Sequence, residues 1–206
     1  MPKMKQADVL REGLKAPPGP DNPRCNKCKL HVASYTPFIE PKIDGNVVFV
    51  LPSPSLTEYE LGQGYEWKIV KTICEAAGLE RDMVSLATVT RCAPINKKTM
   101  GKTARTMCQP FLLRALNDLT EEKKLIAMGA DVAKSLLGEH VDFDDVVGRV
   151  FETVHGAVLI TYSAREYFHE VRKGVINVGI LEAIILHVKR YVEDTSWYTF
   201  RTLEVV

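Results

Sequence analysis

The sequence predicts an α/β fold, a three-layer α/β/α sandwich in which helices cover both faces of a parallel sheet. Two patterns point there. Four short runs, too uniformly apolar to leave one face in water, alternate with longer stretches whose apolar residues recur at helical spacing. Glycine, proline and asparagine fall between these runs, where strands and helices are expected to stop.

Residues 1–24 read as a lead-in segment. "KQADVLREGLK" has helical character and "APPGPDNPRC" ends it, because proline fixes φ and removes a backbone donor. After "CNKCKLHVASY", a Gly45-Asn46 turn launches the first strand in "PKIDGNVVFVL". "EWKIVKTICEAAGLE" sets Trp67, Ile69, Val70, Ile73, Cys74 and Ala77 on one face of a helix that stops at Gly78. "MVSLATVT" is the second strand. "TARTMCQPFLLRALNDL" is a helix with Pro110 in its first turn or at a kink. "KKLIAMG" is the third strand, "ADVAKSLLG" a helix, "GAVLITYS" the fourth strand, and the stretch from Arg165 to about Asp194 mostly helix. A length of 206 residues suits one core. The expected organisation is a single domain over 1–206, with a core over 25–194 and a C-terminal tail over 195–206.

Hydrophobic residues make up 46% and charged residues 26%, an ordinary soluble composition that argues against disorder. The run "VINVGILEAIILHV" is broken by Asn177 and Glu182 and falls short of the roughly 18 uncharged residues of a membrane span. "MPKMKQADVLREG" contains no apolar signal core. No membrane partner and a cytoplasmic location are therefore expected. A net charge of +1 decides nothing about nucleic acid, which responds to local patches of charge.

Of the five cysteines, Cys25 and Cys28 form a CxxC chelate. Cys92 ends the second strand candidate and Cys108 lies early in the next helix, so a loop that leaves and returns brings them together. In a reducing compartment such a set points to a metal rather than to disulfides. Four thiolates suit structural zinc or a [4Fe–4S] cluster, and spacing alone does not choose between them. Cys74, in mid-helix on an apolar face, reads as a core residue. His31, near the CxxC, is not needed as a ligand.

The order of CxxC, a strand ending in a Pro/Gly loop, "TVTRCAP" before a basic loop and "MCQPFL", then "LIAMGADVAKSLLG", "VVGRVFE" and "VLITYS" resembles the iron–sulfur, family 4-type uracil-DNA glycosylases over roughly Cys25 to Arg165. The resemblance implies a [4Fe–4S] cluster on Cys25, Cys28, Cys92 and Cys108, a four-stranded parallel sheet, and DNA bound with one base flipped out of the stack. The family's first motif, GEAPGxxEDxxGxPF, aligns with "LPSPSLTEYELGQGY". Pro54, Glu58 and Gly62 are kept and the closing aromatic is Tyr65, but the acid that positions or activates water is Pro52. The asparagine that reads uracil is Thr88, which lacks an amide's paired donor and acceptor. The histidine that stabilises the departing base is Ser163, whose hydroxyl stays neutral.

Tyr65 remains as a stacking surface for an extruded base. Glu58, Thr88 and Ser163 are the remaining catalytic candidates, and Tyr65, Thr88 and Ser163 the base-binding ones. Lys97, Lys98, Lys102 and Arg105 in the acid-free loop "APINKKTMGKTART", together with Arg165, are expected to meet DNA phosphates. His155 and His169 each lie several residues from Ser163 and read as structural. The expected function is that of a DNA-binding [4Fe–4S] member of the superfamily with replaced catalytic residues. It would be nucleoid-associated when bound, beside a DNA polymerase or another replication or repair protein. An active glycosylase of altered base specificity and a zinc-stapled interaction protein are the alternatives.

Overall fold

The structure, a computed structural model, describes residues 25, 28, 39, 41–55, 62, 64–93, 101–117, 123–165, 167 and 178–193. The lead-in segment and the C-terminal tail expected from the sequence lie outside the described residues.

Strand β1 (Val47–Leu51) is buried at every position. Helix α1 (Tyr65–Ala76), strand β2 (Val84–Thr88), helix α2 (Lys102–Asn117), strand β3 (Lys124–Met128) and helix α3 (Ala130–Leu137) follow. A single-turn helix α4 (Phe143–Val146), strands β4 (Val150–Thr153) and β5 (Gly156–Thr161), and helix α5 (Val178–Glu193) complete the order. The sheet runs β2-β1-β3-β5-β4. β2, β1, β3 and β5 are parallel, and β4 pairs antiparallel with β5.

The four expected strands are present and parallel, and the structure adds a fifth at the edge. β4 carries a weak signal, with Phe151 buried, Glu152 exposed and the flanking residues half-buried. Its hairpin is tied by Thr153, whose Oγ1 donates to the Gly156 carbonyl at 2.9 Å and accepts from the His155 N–H at 3.1 Å. Pro110 sits well inside α2 rather than in its first turn, and its ring is exposed. It deletes one helical hydrogen bond without placing its ring in the core.

Alternate residues of β1 feed two cores, which is why the strand reads as uniformly apolar. Val47, Phe49 and Leu51 pack with Val70 and Ile73 of α1 and Ile184 and Val188 of α5. Val48 and Val50 pack on the other face with Leu112 and Leu116 of α2 and Val132 of α3. Helix α5 is docked by polar ties as well. The Tyr191 hydroxyl donates to the Ala157 carbonyl at 2.7 Å, and Lys124 donates to the Tyr191 and Val192 carbonyls at the helix end. Thr161 Oγ1 meets His187 Nδ1 at 3.0 Å, and burial pulls the His187 pKa below its ordinary value, favouring the neutral ring. Among the described residues, no helix is long and apolar enough to cross a membrane.

Two glycines fix the strand ends. At Gly45, where the sequence shows a turn, a Cβ would stand 2.4 Å from the Met83 carbonyl oxygen, while the Gly45 N–H donates to Ser85 Oγ at 2.8 Å. At Gly129, just past β3, φ is +95° and a Cβ would stand 2.8 Å from that of Ser163. Gly129→Ala therefore adds backbone strain to a collision. It is expected to lower stability by more than about 1 kcal/mol, seen as a lower urea midpoint with an unchanged m value.

Candidate functional site

All four parallel strands end on the same side of the sheet, where an open α/β fold presents its ligand crevice. The chain leaving β1 stays zipped to the chain leaving β2. Val89 N donates to the Leu51 carbonyl at 2.9 Å and Thr90 N to the Pro52 carbonyl at 3.1 Å. Pro52, Ser53 and Thr88 are thereby held side by side and buried. Thr88 is wholly buried, and among the described residues its hydroxyl meets no hydrogen-bond partner. Such a hydroxyl is one that a bound ligand can satisfy.

Ser163 is buried after β5, beside Gly129. Its Oγ accepts from the Arg165 N–H at 3.1 Å, the arrangement of a serine that caps a helical turn. The position at which the resemblance expects an imidazole is thus used to start the next turn.

Arg165 turns inward rather than out toward solvent. Its Nε donates to Glu66 Oε1 and its Nη2 to Ser53 Oγ at 3.0 Å. Glu66 is only 2% exposed. The loop after β1, the first turn of α1 and the turn after β5 are so joined by one buried ion pair and a hydroxyl. Sequence reasoning missed Glu66, because an acid in the first turn of a helix ordinarily answers only to the helix dipole. Its partner lies 99 residues away along the chain.

The other predicted residues are spread over the fold. Glu58, Lys97, Lys98, His31 and His169 lie outside the described residues. Tyr65 opens α1, directly before Glu66. Lys102 is exposed at the start of α2, whereas Arg105 is occupied by Asp131 and Glu139, which α3 and the turn after it supply. His155 lies in the β4–β5 hairpin, at the opposite end of β5 from Ser163.

The cysteines form a second centre just beyond β2. Cys108 shares the buried stripe of α2 with Ala104, Leu112 and Leu116. Cys92 packs on Ala104, and Cys28 packs against both. Burial pushes the Cys92 thiol up to about 12, and Cys108, Cys25 and Cys28 add to the rise, so all four thiols are electrostatic neighbours. Burial also raises the Cys108 pKa, while the nearby Arg91 backbone N–H and the Arg91 charge oppose that rise. Among the described residues no three potential ligands are drawn close enough to hold one ion. The donor set is nevertheless all thiol, with Cys92 and Cys108 buried and Cys25 and Cys28 half-buried, and it is gathered from three chain segments, as suits a thiolate-bound metal centre. Cys74 lies apart in the core between α1 and the sheet, its thiol pushed up to about 12 by burial.

A family model of the uracil DNA glycosylase superfamily matches residues 36–175. A type-4 uracil-DNA glycosylase of Thermotoga maritima is 24% identical over 163 residues, 74% of this chain and 84% of the relative. Another, from Sulfurisphaera tokodaii, is 30% identical over 126 residues, 56% of each chain.

Removing one side of a buried ion pair strands the other. Glu66→Ala is expected to cost toward the low end of about 3–5 kcal/mol, since Arg165 is partly exposed. The double change Glu66→Leu with Arg165→Met should recover most of that loss. Chemical denaturation of Glu66→Leu, Arg165→Met, their combination and the wild type measures the coupling.

Proposed function

The chain belongs to the uracil DNA glycosylase superfamily, and on that premise we propose that it binds DNA around an iron–sulfur centre without efficient excision of uracil. The observation that carries this reading is the pocket edge. The positions expected to hold an acid, an amide and an imidazole are Pro52, Thr88 and Ser163, all buried at the ends of the strands. Excision needs a water activated at the sugar carbon and charge stabilised on the departing base. Proline accepts no proton, Thr88 offers a single hydroxyl, and Ser163 Oγ already serves Arg165 N–H. Losing one group of this kind typically costs about 2.7–4 kcal/mol of barrier.

Cys25, Cys28, Cys92 and Cys108 would hold the cluster that the resemblance implies. When bound, the group ties the CxxC segment, the end of β2 and α2 together and supplies a one-electron couple. Lys102, with Lys97 and Lys98 beside it in sequence, suits salt-sensitive phosphate contacts. A protein that grips DNA without processing it acts through another, so a DNA polymerase or another replication or repair protein is the partner class this reading favours.

One observation favours a second reading. The buried Glu66 supplies a carboxylate next to the loop that lost one, and an active glycosylase of altered base specificity would draw on it.

Oligonucleotides containing uracil or one of several modified bases, incubated with the protein and cleaved in alkali, separate the two. Strand breaks at uracil should stay at background; turnover comparable to a repair glycosylase refutes the proposal, and excision of another base establishes the second reading. Anaerobically purified protein should be brown, absorbing broadly near about 400 nm as cysteine-ligated iron does, and Cys92→Ser should bleach it. A colourless wild-type protein with stoichiometric zinc contradicts the cluster.

A further inference from the structure

Arg91 stands between Thr90 and the cluster residue Cys92, and its side chain is wholly buried. A guanidinium keeps its proton in folded proteins, so this is a permanent charge taken out of water. The structure fixes where that charge lies. Nη2 donates to the Phe111 carbonyl at 2.8 Å. Phe111 is one turn of α2 beyond Cys108, so the cation rests against the turn that carries that thiol. The Arg91 backbone is held as well, its carbonyl accepting from Ile39 N at 2.9 Å. One residue thus brings a desolvated positive charge to the cysteine centre.

We propose that Arg91 is a built-in counter-charge of the cysteine centre, holding the reduction potential of a bound cluster up. The proposal rests on the cluster reading given above. Four thiolates make the cluster assembly anionic, and reduction adds one electron to it. A buried cation favours the more negative, reduced state, and net charge is among the features that set such potentials. Arg91 is a positioning and tuning residue; it does not touch a substrate.

The test is a potentiometric titration with dithionite as reductant, followed by the electron paramagnetic resonance signal of the reduced cluster. It uses the full chain, purified anaerobically, as wild type, Arg91→Met, Arg91→Gln and Arg91→Lys. Methionine is included because an apolar side chain of similar volume replaces a buried ion with little loss of packing. Both neutral variants should keep the iron and sulfide content of the wild type and titrate at a more negative potential. Arg91→Lys, which retains a charge, should stay nearer the wild type. Thermal melting measured alongside distinguishes a packing loss, which would not order the potentials by charge. Neutral variants that titrate with the wild type overturn the role of Arg91 and leave the cluster reading intact. A wild-type protein without iron overturns both.

Discussion

Parallel pairing from β2 through β1 and β3 to β5 is the constraint on which the rest of the structure depends. In a parallel sheet every strand ends on the same side, so segments far apart in sequence finish beside one another. Here the ladder continues past the strand ends, through Val89 to Leu51 and Thr90 to Pro52. That extension fixes the buried loop after β1 and aims the chain from Thr90 toward Cys92. The pocket edge and the cysteine centre are two consequences of the same register.

Burial then decides what those segments can do. On one side of the loop Arg165 donates to both Glu66 and Ser53, a costly buried arrangement that lasts only while each partner stays in place. On the other side Arg91 is buried against the α2 turn that follows Cys108. Both charges bind these segments to their surroundings. The fold is kept and the thiols are gathered, while the positions that align with the family's acid, asparagine and histidine hold proline, threonine and a capping serine.

The parallel strands were legible because burial on both faces leaves an unbroken apolar run, and the helices because α1 and α3 keep helical spacing on their buried faces. β4 was not, since an edge strand needs to hide only one or two side chains, here Phe151. That Cys28, Cys92 and Cys108 would lie near one another was legible in the CxxC spacing and a family order of motifs. Glu66 and Arg105 were misleading for a common reason: their partners come from distant elements. Arg105 sits near an acid-free loop, yet Asp131 and Glu139 arrive from beyond β3. Local sequence shows a charge but not the charge that will face it.

The central claim is that the scaffold persists and that three substitutions removed its chemistry. It is tested most directly by putting the chemistry back, with Pro52→Glu, Thr88→Asn and Ser163→His combined in one chain, and measuring release of uracil from DNA. The account predicts that the triple variant gains uracil excision well above the wild-type background while binding DNA as before. A folded, DNA-binding triple variant that releases no uracil, or a wild type that already matches it, would contradict the account.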